Sequence, residues 1–218
     1  MGLDFSILAG YENVLLKGAL WTVALTVLSI VLSIAIGTVM AVLRLSRHVL
    51  LRWPVSFLIW LFMGTPLLLQ LYLVYFGLVE IGVDLNAFSA GVIAMSLHFA
   101  VYDADIIRAG IVAVDKGQYE AARSLGLSHV QAMRKSIVPQ ALYNVAPALG
   151  NMMIALLKES SLVSVIGVME LTLSAQRAIS DTFRPFEFYL AAAVIYYVLN
   201  LFLEQAVSAV ERRSAKYR

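Results

Sequence analysis

Asp103 and Asp105 stand two residues apart in a stretch otherwise almost free of charge, and Arg108 follows three residues after Asp105. Residues three apart share one face of a helix, so Asp105 and Arg108 can pair while Asp103 points elsewhere. A second charged pair, Lys158-Glu159, closes another uncharged run. The third chemical feature is polar rather than apolar: V-D-K-G-Q-Y-E-A-A-R-S-L-G-L-S-H-V-Q-A-M-R-K-S-I over 114–137, with Pro139 soon after. Other chemistries are missing. With no cysteine there are no disulfides, thiolate nucleophiles or Cys-ligated zinc. His48, His98 and His129 have no metal-ligand spacing, and no G-x-x-x-x-G-K-[ST] is present to cradle ATP phosphates.

The elements that position these groups follow from composition. The 218 residues are 61% hydrophobic and 14% charged, with mean hydropathy +0.85. A soluble domain carries about 25% charged and roughly 45–50% apolar residues. The chain is therefore neither a water-soluble globule nor disordered, and its net charge of +2 suggests no nucleic-acid partner. Its length fits one domain. Residues 18–43, 53–79, 85–102, 136–157 and 188–203 contain no Asp, Glu, Lys or Arg. A membrane-crossing helix needs about 20 mostly apolar residues. Four runs qualify outright, and Phe186 and Ala206-Val207 extend the fifth. Stretches such as LLLQLYLVYFGLV do not alternate, which argues against a β-barrel. The expected fold is all-α and integral to the membrane, with five transmembrane helices. Residues 160–169 are too short to span and read as re-entrant, interfacial or packed within the protein. Residues 18–43 are too long for a secretory h-region and read as a retained span.

Orientation follows from Lys and Arg. Twelve of the 16 lie between spans one and two, at or between spans three and four, and after span five. The N-terminal segment 1–14 is therefore expected outside, and the 114–135 loop and the basic tail 211–218 in the cytoplasm. In that loop Ala121, Ala122, Leu125, Val130 and Met133 recur at spacings near three and four. A short amphipathic helix from about Tyr119, a stop at Gly126 and a second helix N-capped by Ser128 are expected. Either this is a surface connection, or it is a rigid elbow that a soluble partner grips.

Glu120-Ala121-Ala122, three residues, Gly126, and Pro139 thirteen beyond it resemble the EAA loop of ABC importer permeases. Phe62-Met63-Gly64-Thr65-Pro66-Leu67-Leu68-Leu69-Gln70-Leu71 is similar to the FRGTPLLVQL stretch of the polar amino-acid subfamily, which takes up His, Glu, Gln, Arg and opines. Tyr102-Asp103-Ala104-Asp105-Ile106-Ile107-Arg108-Ala109-Gly110-Ile111 resembles its AYxAEIxRGGI stretch, and Lys158-Glu159-Ser160-Ser161-Leu162-Val163 its K-D/N-T-S-L-V. The likeness covers roughly 15–210. Met63, Asp103, Asp105 and Ser136 depart from the usual residues.

The resemblance implies a type I importer permease, its transmembrane domain over 15–210, in a bacterial inner membrane. Two such chains, identical or homologous, would pair in the lipid bilayer. An ABC ATPase would grip each through its EAA loop and bind the ATP, so the chain itself needs no cofactor and is not an enzyme. An extracytoplasmic solute-binding protein would deliver a polar amino acid. Glu120, Ala121, Ala122 and Gly126 are then the coupling residues. Candidates for the substrate path are Asp103, Asp105, Lys158, Glu159 and Thr65. Asp105 lies about 12 Å from the end of helix three at 1.5 Å per residue, where an ionisable group costs about 2.5–3.5 kcal/mol. It reads as an ion pair with Arg108 holding that helix. Asp103 is expected to face the translocation cavity and to favour an amino group. Lys158 and Glu159 either snorkel to the interface or line the path, with Lys158 reaching the substrate carboxylate. Gly64-Thr65-Pro66 reads as a bend beside it, and Glu170 and Arg177 as a polar face of an external helix. A self-sufficient secondary transporter or channel is the alternative, although five spans with one elbow lack the two similar halves common among secondary transporters. A membrane-embedded enzyme would need more convergent groups than Asp103 and Asp105.

Overall fold

A computed structural model describes residues 2–215, and every regular element among them is helical. A 3₁₀ stretch, Phe5–Gly10, leads into α1 (Glu12–Arg44). Then come α2 (Val49–Met63), α3 (Leu67–Glu80, with a π turn at Leu73–Gly77) and α4 (Ala87–Val112). The short α5 (Lys116–Ser124) is followed by α6 (His129–Ile166), whose last turns, Ser160–Ile166, are 3₁₀. The chain ends in α7 (Leu171–Thr182) and α8 (Pro185–Ala215). The last part of the basic tail, 216–218, lies outside the described residues.

The uncharged runs become these long helices. Four of them, α1, α4, α6 and the Pro185–Arg212 part of α8, are long and apolar enough to cross a membrane. The run 53–79 is divided: α2 and α3 meet at 109°, and taken together the bent pair is long and apolar enough to count as a fifth, broken span. The break falls at Gly64-Thr65-Pro66, where proline has no N–H and its ring disfavours a helical conformation for Thr65. Pro147, by contrast, is accommodated inside α6. The short run 160–169 packs within the protein, with Val163 and Ile166 buried in the core.

The helices pack through small side chains. The buried face of α1 carries Gly18, Thr22, Thr26, Ser29, Ser33, Gly37 and Ala41, every three or four residues along one stripe. In lipid the helices gain little from excluding water, so association relies on close contact and small residues permit it. A Cβ on Gly37 would lie 2.8 Å from the Cβ of Asp103 and 2.9 Å from the carbonyl oxygen of Ala100. The α1–α4 pair is the most extensive in the molecule. Leu25, Leu71, Met95, Leu156 and Val163 fill the core joining α1, α3, α4 and α6, and Leu15, Leu171, Ala175 and Phe188 join α1, α7 and α8. Outward-facing Leu50, Trp53, Trp60 and Phe202 are exposed, as lipid contact requires.

The expected polar face of α7 needs correcting. Arg177 is exposed, but Glu170 is fully buried. Its carboxylate accepts the backbone N–H groups of Thr172 and Leu173, both at 2.8 Å, and the Tyr196 hydroxyl at 2.5 Å. Its place is the N-cap of α7, where a carboxylate satisfies donors that have no intrahelical partner, and it ties α7 to α8.

Candidate functional site

Two polar features stand out from the apolar bundle. The first is the helical hairpin of α5 and the start of α6. Asp115 caps α5, its carboxylate accepting the Gly117 N–H at 2.6 Å, so the helix starts earlier than the expected Tyr119. At its end Leu127 N–H bonds the Ala122 carbonyl and Gly126 N–H bonds that of Arg123. This paired closure places Gly126 at φ 82°, a conformation glycine adopts without steric penalty. Ser128 then starts α6 with reciprocal bonds: its hydroxyl accepts Gln131 N–H at 3.3 Å and its own N–H donates to Gln131 Oε1 at 2.9 Å. Tyr119 Oη and His129 Nδ1, 3.0 Å apart, brace one arm against the other. The turn is thus fixed by hydrogen bonds at both ends rather than left as a loose connection. Glu120, Ala121 and Gly126 are exposed, whereas Ala122 is buried. At the tip Leu125 is 83% exposed and Val130 71%.

The second feature is an open polar cleft of about 700 Å³ beside the α2–α3 break, lined among others by Thr65, His98, Tyr102, Lys158, Glu159 and Ser161. It brings Thr65, Lys158 and Glu159 together. The two charged side chains have no ion-pair partner among the described residues. Asp103 and Asp105 are not among its lining residues. Asp103 is 2% exposed and packs against Gly37 of α1, with Ser33 and Met152 beside it. This departs from the expectation that Asp103 faces the cavity. The stripe of small residues lets α1 come so close to α4 that it covers this carboxylate. Asp105 does meet Arg108, at 3.8 Å, but its nearer partner is Arg44, at the end of α1.

Sequence reasoning missed two polar groups beside the cleft. The two N–H groups of Gln70 Nε2 are shared among three acceptors, the Phe62 carbonyl at 2.9 Å, the Thr65 carbonyl at 3.1 Å and Thr65 Oγ1 at 2.8 Å. Gln70 thereby satisfies carbonyls that the break frees from helical pairing, as irregular backbone within a membrane requires. Its Oε1 lies 3.0 Å from His98 Nδ1 on α4. The available signal was a glutamine and a histidine inside otherwise apolar spans.

A bundle of five membrane-crossing units with a braced polar hairpin and a polar cleft at a helix break defines a multi-pass transport permease. A family model described as "Binding-protein-dependent transport system inner membrane component" matches residues 33–216, and the chain belongs to that family. It is 40% identical over 214 residues to the arginine transport system permease protein ArtQ of Bacillus subtilis (strain 168), covering 98% of each chain. It is also 40% identical over 200 residues to the probable amino-acid ABC transporter permease protein PatM of Vibrio harveyi, covering 90% of each. Among solved structures, a chain of an amino acid ABC transporter crystallised with histidines superimposes with a TM-score of 0.91 at 44% identity, over 98% of this chain and 100% of that one. The inward-facing methionine ABC transporter MetNI, 20% identical, shares the fold with a TM-score of 0.77 over 93% and 97%. The fold is that of a type I ABC importer permease.

Proposed function

We propose that the chain is the permease subunit of an ATP-driven importer that moves a polar amino acid inward by alternating access. The observation that carries this reading is the α5–α6 hairpin. Its arms are locked by the Gly126 turn, the Ser128–Gln131 box and the Tyr119–His129 contact, so a push on its tip moves the arms rather than bending the turn. Exposed Leu125 and Val130 beside Glu120 and Ala121 offer a partner an apolar hold with a charge at its edge. In this reading an ABC ATPase grips Glu120, Ala121, Ala122 and Gly126, binds the ATP and hands its motion to α4 and α6. The hairpin lies in the cytoplasm with the C-terminus and the N-terminal segment outside, which agrees with the bias of Lys and Arg. A second permease chain completes the path, and an extracytoplasmic binding protein supplies the solute.

The cleft supports the choice of solute. Lys158 offers a cation for a carboxylate, while Glu159 and Thr65 offer oxygens for an ammonium group, which is the charge pattern of a free amino acid. Asp103 and Asp105 serve instead to join α4 to α1. Proteoliposomes holding the chain with its ATPase and binding protein test the assignment. Uptake of labelled polar amino acids is expected with ATP inside and not with ADP. Uptake driven by a proton or sodium gradient, without any ATPase, would overturn it.

A further inference from the structure

The bonds around Gln70 determine where the protons of His98 sit. Gln70 Nε2 faces the carbonyl oxygens of Phe62 and Thr65, which only accept. Thr65 Oγ1 in turn lies 3.1 Å from the Leu61 carbonyl, to which it donates, so it too accepts from Gln70. The amide of Gln70 is therefore oriented with its NH₂ toward the break and its oxygen toward α4. An amide oxygen only accepts, so the nitrogen facing it at 3.0 Å, His98 Nδ1, must carry a hydrogen. In the neutral ring the lone pair is then on Nε2. That atom has no hydrogen-bond partner among the described residues, and His98 lines the cleft that holds Lys158 and Glu159.

We propose that His98 is a solute-contacting residue: Gln70 holds its ring in the Nδ1–H form so that Nε2 accepts a hydrogen bond from an N–H group of the solute in the cleft. The ligand class is a small zwitterion with a cationic N–H donor, the ammonium of a free amino acid or a guanidinium. The inference rests on the reading of the cleft as the solute path. Gln70 itself is a positioning residue, acting through His98 and through the carbonyls of the break.

Two substitutions separate contact from scaffolding. The amide nitrogen of His98→Asn can occupy the place of Nδ1 and keep the bond to Gln70, but leaves nothing at Nε2. The longer His98→Gln can set its amide oxygen where Nε2 stood. The full transporter, with ATPase and binding protein, is reconstituted with ATP and assayed with L-arginine, L-glutamine and L-glutamate at saturating loaded binding protein. Expected is a His98→Asn protein that assembles and melts as the wild type does, yet carries solute about tenfold to a hundredfold more slowly, the worth of one hydrogen bond to a charged group. His98→Gln is expected to recover most of the rate. Wild-type rates in His98→Asn, or equal losses in both variants with unchanged melting, would overturn the contact. Should His98→Asn not fold, His98→Gln against His98→Met decides by the same order of rates: glutamine faster than methionine supports the contact, and equal rates overturn it. Wild-type transporter that carries none of the three amino acids defeats the reading of the path, and the contact with it, which is a different result from wild-type uptake indifferent to His98.

Discussion

Arg44, the last residue of α1, pairs with Asp105 of α4 across 61 residues of sequence, with Arg108 a more distant second partner at 3.8 Å. The bond ties the C-terminal end of α1 to the C-terminal third of the next full-length span, Ala87–Val112. Both side chains are partly exposed, which weakens the attraction through solvent screening. A double-mutant cycle on Arg44→Ala and Asp105→Ala, read by thermal melting in detergent, is expected to give a coupling of about 1 kcal/mol or less. Arg108→Ala should change melting less than Arg44→Ala. The opposite order would assign the main partner to the neighbour on the same helix.

At Gly37 the α1 backbone approaches α4 closely, with Asp103 Cβ and the Ala100 carbonyl both under 3.0 Å from any added Cβ. Gly37→Val is expected to force the helices apart and to cost about 1–3 kcal/mol, as overpacking generally does. Gly10→Val, with nothing within 4 Å, serves as the control. Equal melting of the two variants would contradict the contact.

Gly126 holds a positive φ at the hairpin turn. Gly126→Ala is expected to destabilise the turn by about 1 kcal/mol, and Ser128→Ala to remove a cap worth a similar amount. Neither touches the bundle, so both proteins should insert and melt nearly normally while ATP-driven uptake falls. Full uptake with both changes combined would count against the hairpin as the coupling element.

Gln70 serves the α2–α3 break. Gln70→Leu leaves the Thr65 carbonyl without its donor and the Phe62 carbonyl with only the longer bonds from Thr65, both at 3.4 Å, and should cost about 1–3 kcal/mol, the range for a buried polar group deprived of its partner. Hydrogen exchange is the direct check: amides near residues 62–70 should exchange faster in the variant, with α1 and α4 unchanged. Unaltered exchange there would mean that the break is held by other contacts.

Glu170 is the buried cap of α7 and also binds Tyr196. Glu170→Ala is expected to cost about 1–2 kcal/mol from the lost cap and to leave the Tyr196 hydroxyl with Thr172 Oγ1, 3.2 Å away. Tyr196→Phe removes one of three donors to the same carboxylate, so it should cost less. A larger loss for Tyr196→Phe would shift the main role of the cluster from α7 to α8.

The spans were readable because charge is excluded from lipid-facing helices, and the gaps between Lys17 and Arg44 or Arg52 and Glu80 mark their limits. The hairpin was readable because its stop and start are local: Gly126 and Ser128 act on neighbours one to five residues away. Partners distant in sequence were not. Spacing exposed Arg108 as a companion for Asp105, but nothing local points to Arg44. Asp103 was expected at the cavity because a carboxylate in lipid surroundings reads as functional; only the three-dimensional approach of Gly37 shows it enclosed. Glu170 was read as part of a helix face because a cap and a first-turn residue differ by a single position. Gln70 and His98 stand 28 residues apart on different helices, and each alone looks like an ordinary polar residue in an apolar span.

The stripe of glycine, serine and threonine along α1 has a mechanical corollary. With Gly37 seated against the α4 backbone, Gly18 against Leu171 and Ser174 of α7, and the Thr22 hydroxyl accepting the Leu171 N–H at 3.1 Å, α1 cannot slide by a residue without driving a larger side chain into its neighbours. Shear of α1 against α4 and α7 is thereby opposed, so these three helices are expected to tilt as one block. In the proposed transport cycle any hinge then falls around that block rather than through it.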